Sequence, residues 1–250
     1  MKWSDRAIIL STRRLGENSA IIMLLTPEQG LYKGVDRGAF SKRKCGIYQP
    51  GNIVSAQWNA RISEQMGRIS CELTEAVAAK IMDDAKKLAV INAATALIEK
   101  ILMEREKHPE IFEHVETLIY SLCNDGNYLA DYVRLEFCLL ASSGFGLDLE
   151  NCAATGQTHE LTYVSPKSGR AVSREAGAPY HDKLFILPDF LAGDACMQKP
   201  ITFEDIANGL TLCGHFISER IFGFRNVPVP VARMRLLNMV NRKNIVGIPA

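Results

Sequence analysis

The chain has no apolar run long enough to span a membrane. Its first residues, MKWSDRAIIL, lack the long apolar stretch and small-residue cleavage site of a secretory leader. The common signatures of catalysis are missing as well. There is no G-x-x-x-x-G-K-[ST] loop, no G-x-S-x-G, no H-E-x-x-H, and no G-x-G-x-x-G after a strand. The histidines, His108, His114, His159, His181 and His215, do not pair at metal-ligand spacing. No internal repeat or low-complexity tract interrupts the chain. The cysteines (Cys45, Cys71, Cys123, Cys138, Cys152, Cys196 and Cys213) are odd in number and scattered, which excludes a disulfide framework and predicts reduced thiols. Together these absences predict a cytoplasmic protein, not an enzyme, whose work is binding.

The composition is that of an ordinary globular protein: 250 residues, 47% hydrophobic and 23% charged, enough for two or three small domains. The formal net charge of +1 hides an uneven distribution. Residues 1–73 carry 11 Lys/Arg against 6 Asp/Glu, residues 74–214 carry 12 against 21, and residues 215–250 carry 6 against 1. Two basic ends around an acidic middle predict that a polyanion docks at the ends.

The densest basic segment is Lys33–Gly51, KGVDRGAFSKRKCGIYQPG, with five cations, one acid, two aromatics and four glycines. Lys42, Arg43 and Lys44 are adjacent and repel one another unless an anion gathers among them. Phe40 beside them offers a stacking face. Charge for phosphates and an aromatic for bases is the chemistry of a sequence-tolerant single-strand binder. A solvated basic turn is the plainer alternative. Gly34, Gly38 and Gly46 are expected to supply positive φ or close backbone approach. Cys45, next to three cations, is a candidate reactive thiol, though incidental placement explains it equally simply.

The first 73 residues predict five short strands: Arg6–Thr12, Ala20–Thr26, Gly30–Arg37, Ile53–Ala60 and Gly67–Leu73. Val54, Ala56, Trp58 and Ala60 alternate with Ser55, Gln57 and Asn59, which places Trp58 in the core. So many short strands in so few residues predict a small closed barrel of the oligonucleotide-binding (OB) type. From Leu73 the period becomes helical and predicts one helix to about Glu106, a second over 111–122 and a third over 128–143. Another is expected over 202–222, opened by Thr202 and Asp205 at capping-box spacing, and a last from 228–231 to about Lys243. The last two segments carry Arg220, Arg225, Arg233, Arg235, Arg242 and Lys243, which could extend a polyanion-binding path, although their rough helical spacing also suits an exposed, solvated face, the simpler reading. Cys123, Cys138 and Cys213 are expected in the core.

Residues 152–176 suggest a metal module that has lost its metal. With cysteines at 155, 173 and 176 the segment would read C-x2-C-x17-C-x2-C. The chain keeps Cys152 but has Thr155, Ser173 and Ala176, so no zinc or other cofactor is expected. The turn geometry is expected to survive on apolar contacts, with LTYVSPKSGRAVS forming two strand-like pieces. The predicted fold class is therefore α+β: an N-terminal five-stranded OB-type barrel over 1–75, a helical bundle over 76–150 and 180–250, and a zinc-ribbon-like β insertion over 151–179 without its ligands.

Motifs in this order resemble the RecO family of bacterial recombination and repair proteins. The match is carried by W-x-D-x-A-I-I-L-S-T-R (Trp3–Arg13), L-G-E-N-S (Leu15–Ser19), L-T-P-E-Q-G (Leu25–Gly30), R-G-A-x-S-K-R (Arg37–Arg43) and Y-Q-P-G-N (Tyr48–Asn52). It continues through Y-x-R-x-E-x-x-L-L (Tyr132–Leu140), G-F-G-L-D-L-x-x-C (Gly144–Cys152) and Y-V-S-P-K-S-G-R-A-V (Tyr163–Val172).

The resemblance implies a recombination mediator of the RecF pathway, cytoplasmic and nucleoid-associated. Such a protein binds single- and double-stranded DNA, anneals complementary strands, and acts with RecR to load RecA onto DNA covered by single-strand binding protein (SSB), whose acidic tail it grips. Lys33, Arg37, Lys42, Arg43 and Lys44 then become the DNA-contact candidates, with Arg13 and Arg14 at the end of the first strand. Arg134, with Tyr132 beside it, is the candidate for the SSB tail, since an arginine among apolar residues suits a terminal carboxylate. Pairing of Arg134 with Asp131 on the same helix face is the alternative. Many family members resemble carriers of a true zinc module, and this chain departs from them there. An RNA-binding OB-fold protein is the competing functional reading, because the basic loop holds nothing assignable to a 2′-hydroxyl.

Overall fold

Alternation gives the N-terminal part its sheet. In β4 (Ile53–Asn59), Val54, Ala56 and Trp58 are buried while Ser55, Gln57 and Asn59 face solvent. The computed structural model describes residues 1–62, 66–192 and 200–246, with backbone alone for 242–246. The chain divides into two compact units, Met1–Tyr128 with Pro230–Leu236, and Leu129–Val229 with the residues from Leu237 on.

In the first unit, β1 (Lys2–Leu15), β2 (Ser19–Thr26), β3 (Gly30–Asp36), β4 and β5 (Gly67–Glu75) form the expected closed barrel, in the order β1-β2-β3-β5-β4. Closure depends on β1, which is longer than predicted. Its first half pairs with β4 (Lys2↔Asn59 to Ile8↔Ile53) and its second half with β2 (Ile8↔Leu25 to Leu15↔Ser19). A register shift between Ile9 and Ser11 bends the strand so that one segment serves two partners. Ile9, Ile22, Leu24, Val54, Trp58 and Ile69 fill the interior. The Trp58 indole N–H donates to the Lys33 carbonyl at 3.1 Å, so the largest core side chain leaves no donor unpaired. Gly34 is required by proximity: a Cβ there would lie 2.7 Å from the Ile69 side chain and 2.8 Å from the Gly67 carbonyl. The positive φ anticipated at Gly34, Gly38 and Gly46 is absent.

The predicted single helix after the barrel is two helices, α1 (Val77–Ile81) and α2 (Ala85–Ile101). Apolar periodicity runs through the join, but Asp84 is extended and its carboxylate accepts from the N–H groups of Lys86 (2.8 Å) and Lys87 (3.1 Å). This N-cap starts a new helix, and the two amide donors hold the Asp84 carboxyl below its ordinary range. Beyond α2 the chain turns beside β3: Arg105 N–H donates to the Leu31 carbonyl at 2.8 Å, and Leu31 and Glu104 form a parallel bridge. Gly30, at φ 70°, admits this approach, since a Cβ would stand 1.8 Å from the Glu106 carbonyl oxygen. α3 (Pro109–Cys123) follows with proline in its first turn.

The second unit holds α4 (Tyr128–Ser142), β6 (Leu161–Val164), β7 (Ala171–Ser173), the short α5 (Arg174–Gly177), β8 (Phe185–Ile186), α6 (Phe203–Phe216) and the second part of α7 (Val231–Val246); the first residue of α4 and the first six of α7 belong to the first unit. The small sheet runs β7-β6-β8. The two-residue β8 has no readable period, and residues 145–187 gave no sign of it. The capping box of α6 is present as anticipated, with Asp205 N–H donating to Thr202 Oγ1 (3.1 Å) and Thr202 N–H donating to Asp205 Oδ2 (2.9 Å). The helix changes to π geometry over Ile217–Gly223, where one continuous α-helix was expected. Nor are all the C-terminal cations on a solvated face. Arg233 is buried, and Arg220 lies over the Phe216 ring (4.5 Å) while donating to the Lys167 carbonyl (3.2 Å). The side chains of Arg242 and Lys243, like Cys196, lie outside the described residues.

The segment read as a knuckle without its metal buries Cys152, Val164 and Ala171, and polar contacts join its spaced positions as well. The Cys152 thiol and Ser173 hydroxyl are hydrogen-bonded at 3.4 Å, and Ser173 N–H donates to the sulfur at 3.2 Å. Burial opposes charge on this sulfur, but donors from Ser173 and Thr155 outweigh it and bring Cys152 down to about 6. One sulfur, two hydroxyls and the Ala176 methyl do not fit tetrahedral zinc, and among the described residues no three His, Cys, Asp or Glu side chains converge as a metal site. Cys123 and Cys138 are partly exposed, whereas Cys213 is buried. No helix among the described residues is long and apolar enough to cross a membrane.

The break at Asp84 yields a direct expectation. Asp84→Ala removes the only side-chain cap of α2 and should lower the unfolding free energy by about 1 kcal/mol, read as a shift in urea midpoint with unchanged slope.

Candidate nucleic-acid interface

The connection from β3 to β4 carries most of the expected DNA-contact residues, and its shape is fixed by its one acid. Asp36 ends β3 and is buried. It accepts from Gly38 N–H (2.8 Å), from the Lys44 ammonium (2.6 Å) and from the Tyr48 hydroxyl. Burial pushes the Asp36 carboxyl up, but the Lys44, Tyr48 and Gly38 donors outweigh it, so Asp36 sits below the ordinary 3.8. Burial and then the bond to Asp36 raise the Tyr48 phenol, which stays protonated and donating. Burial and the Asp36 charge push the neighbouring Cys71 thiol up to about 12.

The other end is tied by Asn52, also buried. Its Nδ2 donates to the Gly46 (2.9 Å) and Ile47 (3.1 Å) carbonyls, and its Oδ1 accepts from Ala78 N–H (2.9 Å). Between the two anchors, turns join Ser41 N–H to the Gly38 carbonyl (3.1 Å), Lys44 N–H to that of Ser41 (2.9 Å) and Ile47 N–H to that of Lys44 (2.9 Å). Thr12 of β1 donates its hydroxyl to the Tyr48 carbonyl at 2.7 Å. The loop is therefore a folded platform.

The structure sorts the expected cations into two sets. Arg37, Lys42 and Arg43 are exposed on the loop and pair with no acid among the described residues. Arg14, at the end of β1, joins them: its guanidinium lies over the Phe40 ring at 4.9 Å and donates to the Gly16 (3.3 Å) and Glu17 (3.2 Å) carbonyls. Phe40 is 38% exposed, so its ring remains available on the side away from Arg14. The second set is already engaged. Lys44 belongs to the Asp36 anchor, Lys33 pairs with Glu104 and Arg13 with Glu99. Tyr48 is buried, which leaves Phe40 as the loop's one stacking face. Cys45 is exposed, with its thiol 3.6 Å from the Lys42 carbonyl.

In the second unit, Arg134 donates to Asp131 at 2.8 Å, the pairing allowed for as the alternative, and also covers the Phe190 ring at 5.3 Å. Tyr132 is wholly buried. It packs α4 in place and offers no surface to a partner, because alternate faces of an amphipathic helix separate it from Arg134.

The sequence matches two family profiles, described as Recombination protein O N terminal over residues 1–77 and Recombination protein O C terminal over residues 82–226. The chain belongs to the RecO family. Among its relatives are proteins named DNA repair protein RecO from Rhodospirillum centenum, 42% identical over 95% of this chain and 94% of theirs, and from Caulobacter vibrioides, 43% identical over 95% and 97%. Another, from Rhodospirillum rubrum, is 38% identical over 97% of both chains.

Asp36, Tyr48 and Asn52 are the site residues that sequence reasoning left unassigned. One signal was visible for Asp36, the only acid among five cations. Asp36→Asn should raise amide exchange across 38–48 and destabilise the first unit by about 1–3 kcal/mol, leaving protection of β4 and β5 in place. Because the Asp36 pKa is depressed, its contribution is complete above the ordinary carboxylate pKa and lost only as pH falls below it. Loop protection should therefore be flat from pH 8 to about 5 and decline below about 4.

Proposed function

We propose that this protein is a recombination mediator in DNA repair. It binds single- and double-stranded DNA through the basic end of its barrel, anneals complementary strands, and with RecR helps load RecA onto SSB-coated DNA. One observation carries the DNA-binding part: Arg37, Lys42 and Arg43 stand exposed, with no acid partner among the described residues, on a loop anchored from within, beside Arg14 and Phe40. Family membership and the relatives' name support the repair role. That name also favours DNA over the RNA-binding alternative.

The mechanism needs no covalent step. Two complementary strands repel, and a surface that neutralises phosphates without reading bases lowers that repulsion. Arginine and lysine on phosphate carry no sequence information, so any strand serves. If Arg14, Arg37, Lys42 and Arg43 each engage a phosphate, log K should fall with log salt at a slope of about −2.8, at about −0.7 per contact. For the SSB tail, the Arg134 guanidinium over Phe190 is the candidate. A terminal carboxylate would compete with Asp131, and an aromatic tail residue would rest on the neighbouring apolar surface.

Arg37→Ala/Lys42→Ala/Arg43→Ala should keep the fold, weaken oligothymidylate binding roughly 10- to 100-fold at low salt and flatten the salt slope by about 2. Near-normal affinity and slope would remove the loop from the mechanism. Arg134→Ala should weaken binding of an SSB tail peptide at least several-fold in a calorimetric titration and leave DNA affinity unchanged; equal peptide affinity would discard that assignment.

A further inference from the structure

Two of the engaged cations, Lys33 and Arg13, occupy a different surface, and acids of the same unit close it. On the outer face of the barrel Ser11, Met23 and Lys33 lie in register across β1, β2 and β3, with Arg13 beside Ile21 one step along. A cavity of about 360 Å3 opens there, lined by Arg13, Met23, Leu31 and Lys33 from the strands and by Glu99 and Glu104 from the end of α2 and the segment after it. Glu104 meets the Lys33 ammonium at 2.5 Å, and Glu99 meets the Arg13 guanidinium. The partners are 86 and 71 residues apart in sequence, so only the fold brings them together.

Carboxylate and phosphate present the same ligand to arginine and lysine, a pair of anionic oxygens. Met23, half-buried on β2 and paired in register with Lys33, supplies apolar surface beside the two cations, over the buried Leu31. We propose that Glu99 and Glu104 are internal substitutes for two phosphates, so that a DNA strand enters the β1–β3 face only by displacing carboxylate from cation. The inference rests on the reading that the barrel binds DNA through its loop. It makes binding two-stage: the loop grips first, because no acid among the described residues pairs with Arg37, Lys42 or Arg43, and the face fills afterwards. The two exchanges are unequal. The Glu104 side chain is 34% exposed and returns to water when released, whereas Glu99 is only 10% exposed and would be left nearly buried without Arg13. Lys33 therefore exchanges first.

The test compares salt series of oligothymidylate binding by fluorescence titration. Glu99→Gln/Glu104→Gln should bind roughly 3- to 30-fold tighter at low salt and steepen the slope by about 1.4, two further contacts at about 0.7 each. Adding Arg13→Ala/Lys33→Ala to that variant should cancel both gains. A control with the same change of charge, Glu72→Gln/Glu113→Gln, removes exposed acids of β5 and α3 and should gain less than half as much. Equal gains in the two double variants, or no gain in the first, overturn the proposal. If Glu99→Gln/Glu104→Gln does not fold, Glu104→Gln alone carries the test with half the slope change. The Arg37/Lys42/Arg43 alanine variant separates the two failures: should it bind normally, the loop reading falls; should it lose binding while Glu99→Gln/Glu104→Gln changes nothing, only the masking falls.

Discussion

A single carboxylate with almost no access to water, Asp36, holds the basic end of the barrel in shape. Three donors converge on it, from a loop backbone amide, a loop lysine and the buried tyrosine that returns the chain toward β4. Without an anion at this point, Lys44 would join the repelling run of Lys42 and Arg43, and the turns between Gly38 and Ile47 would have no fixed origin. With it, one positive charge is neutralised inside and the others are turned outward. Within the loop, Asp36 thus makes Lys44 structural and leaves Arg37, Lys42 and Arg43 facing outward.

That division gives the protein a graded surface. Free cations on a rigid loop bind polyanions quickly and without regard to sequence, and they release them as salt rises. Cations already paired across β1–β3 add affinity only when something displaces their carboxylates. The proposed annealing role, in which a strand is held, paired with a second and released, is better served by such a grip than by a deep, high-affinity groove. In the second unit, Arg134 lies between an acid and an aromatic ring, where the proposed tail contact would form.

Much of the fold was legible in the sequence because its signals were local. The strict alternation around Trp58, the turn residues between strands and the Thr202–Asp205 spacing all involve neighbours within a few residues. The barrel and the capping box follow from them. Where the decisive partner is distant, the sequence was silent. The break at Asp84 is the exception: its partners, the amides of Lys86 and Lys87, are local, but apolar periodicity continuing across it hid them. Lys33 and Arg13 looked as free as Lys42, since Glu104 and Glu99 lie on another element altogether. Lys44 looked free because its acid is eight residues away across a folded turn. Spacing singled out Cys152, Thr155, Ser173 and Ala176, but that the Ser173 hydroxyl and amide meet the Cys152 sulfur is visible only in three dimensions.

The central claim is that a nucleic-acid strand passes the loop end of the barrel, over Phe40 and between Arg14, Arg37, Lys42 and Arg43. Photo-crosslinking of a bromouracil-substituted single strand, followed by peptide mapping, tests this most directly. The account predicts crosslinks concentrated in the peptides spanning 37–44, with Phe40 the leading site and yield falling as salt rises. Crosslinks confined to the second unit, with none in the loop at any salt concentration, would contradict it.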